Sequence, residues 1–248
     1  MKITKYIILL LLILGISLSS KAQGNLTIDN EVGVFLGPTF MQTDYGEAKQ
    51  FKSSINNTGF GFAVAYIADF SSSRLNSGFG RGFTEHVKLR GELSYTKANF
   101  AYDGKPVEDA NSEQARFMAM EGSTKLLSFG VFTEIYFFNL ADDKKLQPYL
   151  LMGGSYTSVK PTLKSSLALP SIYLPEEENV FLDKQNVFSF TGGVGTRYKL
   201  DDVDILFEYK YNMFFSDRIE GLDADFSGDK HNDGQTIFNI GVVFHLDY

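Results

Sequence analysis

The chain has 248 residues, 44% of them hydrophobic and 15% aromatic, with 23 glycines, no cysteine and no tryptophan. This length fits one well-packed domain or two small ones, and the lack of cysteine excludes a disulfide framework, a thiolate metal site, a cysteine nucleophile and an acylated lipoprotein cysteine. The formal charge of −7 becomes −10 once Lys2, Lys5 and Lys21 leave with the first 22 residues, which argues against nucleic acid as a partner.

Residues 1–22 read as a cleavable secretory signal. Two lysines precede an apolar core from Tyr6 to Ile16, and small residues follow up to Ala22. The core is too short for a membrane-spanning helix, which needs about 20 apolar residues. No later stretch approaches that length, so residence in a membrane would have to use strands. Residues 23–248 are predicted to form one domain.

Beyond the signal the apolar pattern has period two. In chain order, Val32, Val34 and Leu36 alternate with Gly33 and Gly37, then Phe60, Phe62, Val64 and Tyr66 with Gly61, Ala63 and Ala65. Val87, Leu89, Leu93 and Tyr95 oppose Lys88, Arg90, Glu92 and Ser94, and Leu127, Phe129, Val131, Ile135 and Phe137 oppose Ser128, Gly130 and Glu134. The run from Leu146 to Thr157 is less regular, with Tyr149 and Leu151 on its polar side. Phe188, Phe190, Val194, Tyr198 and Leu200 then alternate with Gly193, Gly195, Arg197 and Lys199, and Val203, Ile205, Phe207, Tyr209, Tyr211 and Met213 with Asp204, Glu208, Lys210 and Asn212. The last segment is the most regular: Phe238, Ile240, Val242, Phe244, Leu246 and Tyr248 lie on one side. The fold class predicted is all-β, an eight-stranded antiparallel up-and-down transmembrane barrel.

Three features favour lipid, rather than water, outside that barrel. Glycines and alanines gather on the charged face, where a narrow lumen would leave room for long charged side chains. Aromatic residues on the apolar face sit near strand ends, Phe70, Phe137, Tyr198 and Tyr248 at one rim and Phe60, Tyr95, Tyr156, Phe188, Tyr211 and Phe238 at the other. The connections also alternate, with long loops at roughly 44–57, 102–123, 160–185 and 215–233 and short turns at 141–145 and 201–202. The connection 71–83 is long for a turn, and its Arg74, Arg81 and glycines make it either a second contact surface or a loose connector.

The run Phe238-x-Ile240-x-Val242-x-Phe244-x-Leu246-x-Tyr248 resembles the terminal strand signal read by the outer-membrane barrel assembly machinery. Residues Glu31 to Pro38, after a signal ending in Ala-Gln, resemble the first strand of small Bacteroidetes barrels, including the PorG-like and PorT-like barrels of the type IX secretion and gliding machinery. The resemblance implies a Gram-negative outer membrane and an accessory part in a secretion assembly. No helical peptidoglycan-binding domain is expected after the last strand, a departure from the OmpA pattern.

Inward-facing charges are expected at Lys88, Arg90, Glu92, Glu134, Arg197, Lys199, Glu208 and Lys210, paired into a network that plugs the lumen. Asp223, Asp225, Ser227 and Asp229 match the first half of a calcium loop, but Gly234 stands where the closing glutamate belongs, so a solvated acidic loop is the better reading. His86 and His245 face the lumen near the turn end, and His231 lies in the last long loop. No Gly-x-Ser-x-Gly motif accompanies them, which weighs against a lipid-modifying enzyme. Leu167, Leu169, Ile172, Tyr173 and Leu174 crowd one long loop, and Asn111 or Ser112 could cap a short helix carrying Phe117, Met118 and Met120. Both suit packing over the barrel mouth or against another protein.

The function expected is a non-enzymatic scaffold or accessory subunit of an outer-membrane assembly, with no cofactor or metal. Its partners would be outer-membrane lipid, the barrel assembly machinery during insertion and another outer-membrane or periplasmic protein. The alternative is a stand-alone surface binder working through its loops.

Overall fold

The computed structural model describes residues 24–25, 27–43, 57–72, 74–75, 78–101, 120–165, 182–221 and 232–246. The signal segment, the calcium-like residues Asp223, Asp225, Ser227 and Asp229, the apolar loop residues Leu167, Leu169, Ile172, Tyr173 and Leu174, the stretch from Asn111 to Met118, His231 and Tyr248 lie outside the described residues.

Eight strands form one closed antiparallel ladder: β1 (Asp29–Gln42), β2 (Thr58–Asp69), β3 (Val87–Ala101), β4 (Met120–Tyr136), β5 (Leu146–Ser165), β6 (Gln185–Lys199), β7 (Val203–Phe214) and β8 (Gly234–His245). Each pairs with its neighbours in sequence, and β8 closes the barrel by pairing with β1, Phe244 opposite Val32. Closure removes the unpaired edges that an open sheet would present to lipid.

Period-two alternation fixes which side chains face out. Phe60, Phe129, Phe137, Phe188 and Phe207 are each more than half exposed, while Arg90, Glu134 and Arg197 are at most 1% exposed. Apolar outside and charged inside is the reverse of a water-soluble barrel, and it is the distribution a bilayer selects. Phe238, Ile240, Val242, Phe244 and Leu246 all point outward, between 37% and 47% exposed.

The structure corrects the sequence reading in four places. Phe70 is buried rather than part of a lipid-facing girdle, because its ring packs on Phe83 at 5.9 Å. The connection 71–83 is no loose connector: residues Arg74–Leu75 pair with Gly24–Asn25, and α1 (Gly78–His86) follows. Glycine is a poor helix former, so tertiary contacts hold α1, among them the Leu140 amide donating to the Glu85 carbonyl at 2.8 Å. Two loops are shorter than expected, since β4 already begins at Met120 and β5 runs on to Ser165. The lumenal glycines chiefly make room for aromatic rings, not for charged stems. An added Cβ would lie 2.4 Å from the Phe35 ring at Gly33, 2.3 Å from the Phe132 ring at Gly130 and 2.4 Å from the Tyr149 ring at Gly195.

Candidate functional site

The lumen is filled in three tiers. At the end bearing the long loops, Met41, Ala98, Phe100, Leu126, Val159, Val187, Phe214 and Ile219 form a buried apolar cluster. Below it, short polar side chains bond from strand to strand. Ser128 meets Thr157 at 2.8 Å, Ser155 meets Ser189 at 2.6 Å, Thr191 donates to Asn212 at 2.8 Å, Asn212 to Gln235 at 2.9 Å and Gln235 to Thr39 at 3.0 Å. The charged tier comes next, toward the end bearing the turns.

Two arginines organise the charged tier. Arg90, on β3, donates through Nε to Glu134 Oε1 at 2.6 Å and lies 2.9 Å from Glu208 and 3.3 Å from Glu92 through Nη1. Its Nη2 donates to the Tyr149 hydroxyl at 3.2 Å, and that hydroxyl donates in turn to Glu208 Oε2 at 2.7 Å. The guanidinium also lies 4.9 Å from the centre of the Phe35 ring, an arrangement that suits its weak hydration and flat shape. Arg197, on β6, holds Glu31 Oε2 and Glu134 Oε2, each at 2.7 Å. Glu134 thus bridges both arginines from the middle of the lumen.

Two lysines complete the tier. Lys88 lies 2.7 Å from both Glu31 and Asp69, and Lys210 lies 2.6 Å from Glu92. Among the described residues the network therefore holds six buried carboxylates (Glu31, Asp69, Glu92, Glu134, Asp204, Glu208) and four buried cations (Lys88, Arg90, Arg197, Lys210). Ions taken out of water at several kcal/mol each are tolerated only when paired this closely. At the turn-end rim His245 lies 3.3 Å from Glu31 and 3.2 Å from Asp204, one carboxylate on each ring nitrogen.

Seven of the eight predicted lumen charges meet in this network. Lys199 does not: it is only half buried at the rim, where its ammonium donates to the Leu140 carbonyl at 2.7 Å. The sequence did not point to Glu31, Asp69 and Asp204 as members, nor to Tyr149 and Tyr136, whose hydroxyl donates to Glu134 Oε2. Glu31 and Asp204 occupy inward positions of their alternating segments, and that signal could have found them. Tyr149 stands at an inward position of an irregular segment, so its part becomes visible only across the lumen.

His86 closes α1 instead of lying on β3, while His245 ends β8, and among the described residues no contact joins the two. His86 Nδ1 donates to the Tyr136 carbonyl at 3.1 Å. His245, with a carboxylate on each nitrogen, keeps neither nitrogen free to take a proton from a serine or a water. Glu31, Asp204 and His245 each place one ligand-type atom within 4.8 Å of the others. Lys88 and Arg197 already sit on Glu31, so this trio is the outer margin of the ion-pair network.

No protein-family model matches the chain, and no curated protein matches it. Among solved structures it is similar to Neisserial surface protein A at 16% identity, covering 87% of this chain and 96% of that one with a TM-score of 0.41. It is similar to Ail, the attachment invasion locus protein of Yersinia pestis, solved with the heparin analogue sucrose octasulfate, at 14% identity over 88% and 100% of the two chains, TM-score 0.43. It is also similar to the outer membrane enzyme PagL at 12% identity over 86% and 98%, TM-score 0.40. The ladder closes on itself through eight antiparallel strands, lipid-compatible outside and ion-paired within, and by that construction the chain is an eight-stranded transmembrane β-barrel protein.

Proposed function

We propose that the protein is an outer-membrane barrel, exported by a cleavable signal at residues 1–22, that serves as a scaffold or accessory subunit of an outer-membrane assembly and catalyses no reaction. The observation that carries this reading is the filled lumen. Apolar, hydroxyl and ion-paired tiers succeed one another across its interior, which leaves the exterior and the loops to do the work. Planar-bilayer recordings of purified protein are expected to show no steady conductance, and a stable open level would overturn the plugged lumen. Affinity purification of tagged protein from native membranes in mild detergent should bring down a second chain at near one-to-one stoichiometry; a clean monomer would count against a subunit role. The finer assignment, to the secretion-associated barrels of the Bacteroidetes, has its support in residues Glu31 to Pro38.

One observation favours a second reading, a stand-alone surface binder. β4 continues seven residues beyond its last outward apolar residue, Leu127, and β5 nine residues beyond Tyr156. These extensions are longer than spanning requires, since a tilted transmembrane strand needs about 9–11 residues. Deleting 167–174 should then abolish binding to a surface ligand while leaving insertion intact.

A further inference from the structure

Beyond the apolar belt, at the end bearing the long loops, three neighbouring strands each place an outward lysine at one level. Lys97 on β3 stands directly opposite Lys125 on β4, and Lys125 directly opposite Lys160 on β5. Lys184, immediately before β6, extends the line, because Gln185 pairs with Val159. All four are exposed. Lys97 comes two residues after the outward Tyr95, Lys125 two residues before the outward Leu127 and Lys160 four residues after the outward Tyr156, so the row crosses the level just outside the apolar belt.

Like charges directly opposite one another across a ladder destabilise it, and here the strands set three such residues side by side. None of the four has an ion-pair partner among the described residues. The next acidic position on that face of β4, Glu121, lies four residues further out and stands opposite Lys164. Among the described residues no carboxylate pairs with these lysines, although the barrel pairs its buried charges closely. In a bilayer, lysines at this height would lay their apolar stems along the barrel wall and reach the lipid headgroup layer with their ammonium groups.

We propose that Lys97, Lys125 and Lys160, extended by Lys184, form a binding row for the phosphate groups of anionic lipids in the leaflet at the loop end. The proposal depends on the membrane-spanning reading, which fails separately if the full chain does not insert into liposomes. The row is built for several phosphates spread along a headgroup layer: its lysines stand on successive strands, project outward and enclose no pocket.

The test is native mass spectrometry of the full chain released from micelles doped with equal amounts of phosphatidic acid and phosphatidylcholine bearing the same acyl chains. Wild-type protein is expected to retain phosphatidic acid in preference by more than about tenfold, Lys125→Gln to lower that preference about fivefold, and the triple change of Lys97, Lys125 and Lys160 to Gln to abolish it. Heat-modifiable gel migration checks that each variant is folded, and if the triple variant does not fold, the Lys125→Gln result decides. Equal retention of the two lipids by wild type, or an unchanged preference in Lys125→Gln, would overturn the proposal. So would complete loss of preference on adding inorganic phosphate at about the lipid concentration, which would assign the row to a free anion.

Discussion

Arg90→Met is expected to destabilise the folded barrel by about 3–5 kcal/mol, the cost of breaking a buried ion pair from one side. Methionine fills much of the same volume and keeps contact with the Phe35 ring, so the loss is one of charge rather than packing. It would leave Glu208 held by Lys210 at 3.7 Å and by neutral donors from Tyr149 and Asn239, and Glu134 held by Arg197 alone among the cations. Arg90→Lys should recover only part of the loss, because one ammonium cannot reproduce a planar fork that reaches Glu134, Glu208, Glu92 and the Tyr149 hydroxyl together. Urea unfolding in detergent micelles, followed by gel migration and far-ultraviolet circular dichroism, measures the difference. Lys144→Ala supplies the contrast: its pair with Asp142 is 4.0 Å long with both side chains about half exposed, and its removal should cost less than about 1 kcal/mol. Equal losses in the two variants would show that the lumen network is not what holds the barrel.

Gly37→Ala is expected to cost about 1–3 kcal/mol or more and to slow closure of the barrel. An added Cβ at Gly37 would lie 1.7 Å from the backbone carbonyl oxygen of Phe238, on the strand that seals the ladder. The β1–β8 pairing runs from Gly234 to Ile237 and resumes at Ile240, skipping the two pairs at Pro38 and Gly37. Proline has no amide hydrogen to give to the ladder, and next to it the two backbones approach more closely than a side chain permits. The clashing atom is backbone, so relief requires the seam itself to move. Gly82→Ala tests the same change where space is open: its Cβ would meet nothing within 4 Å on α1. That substitution should raise stability by about 0.5–1 kcal/mol through helix propensity. If Gly37→Ala behaved like Gly82→Ala, the close approach at the seam would not be a constraint on folding.

Much of the barrel was legible in the sequence because membrane and strand impose one simple code. A strand alternates sides every residue, and a bilayer demands apolar side chains on one of them. From this followed the eight strands, and with the glycine placement, the aromatic strand ends and the loop lengths also their apolar outer faces and the inward direction of Lys88, Arg90, Glu92, Glu134, Arg197, Glu208 and Lys210. The code assigns a side to a residue and says nothing of its neighbour across the lumen. Arg90 and Glu208 are 118 residues apart in the chain and meet only because the closed ladder sets β3 opposite β7. The same limit hid the part of Tyr149, whose ring fills the space over Gly195, and the partners of Glu31, whose carboxylate joins Lys88, Arg197 and His245. It hid the helix Gly78–His86 as well, since its glycines oppose a helix locally and contacts such as Phe83 on Phe70 hold it. Local alternation therefore determined the strands and their count, and the glycines, aromatic strand ends and loop lengths determined which charges point inward. Closure and register, which bring distant strands face to face, decided which charges pair, which rings the glycines accommodate and which lysines share a row.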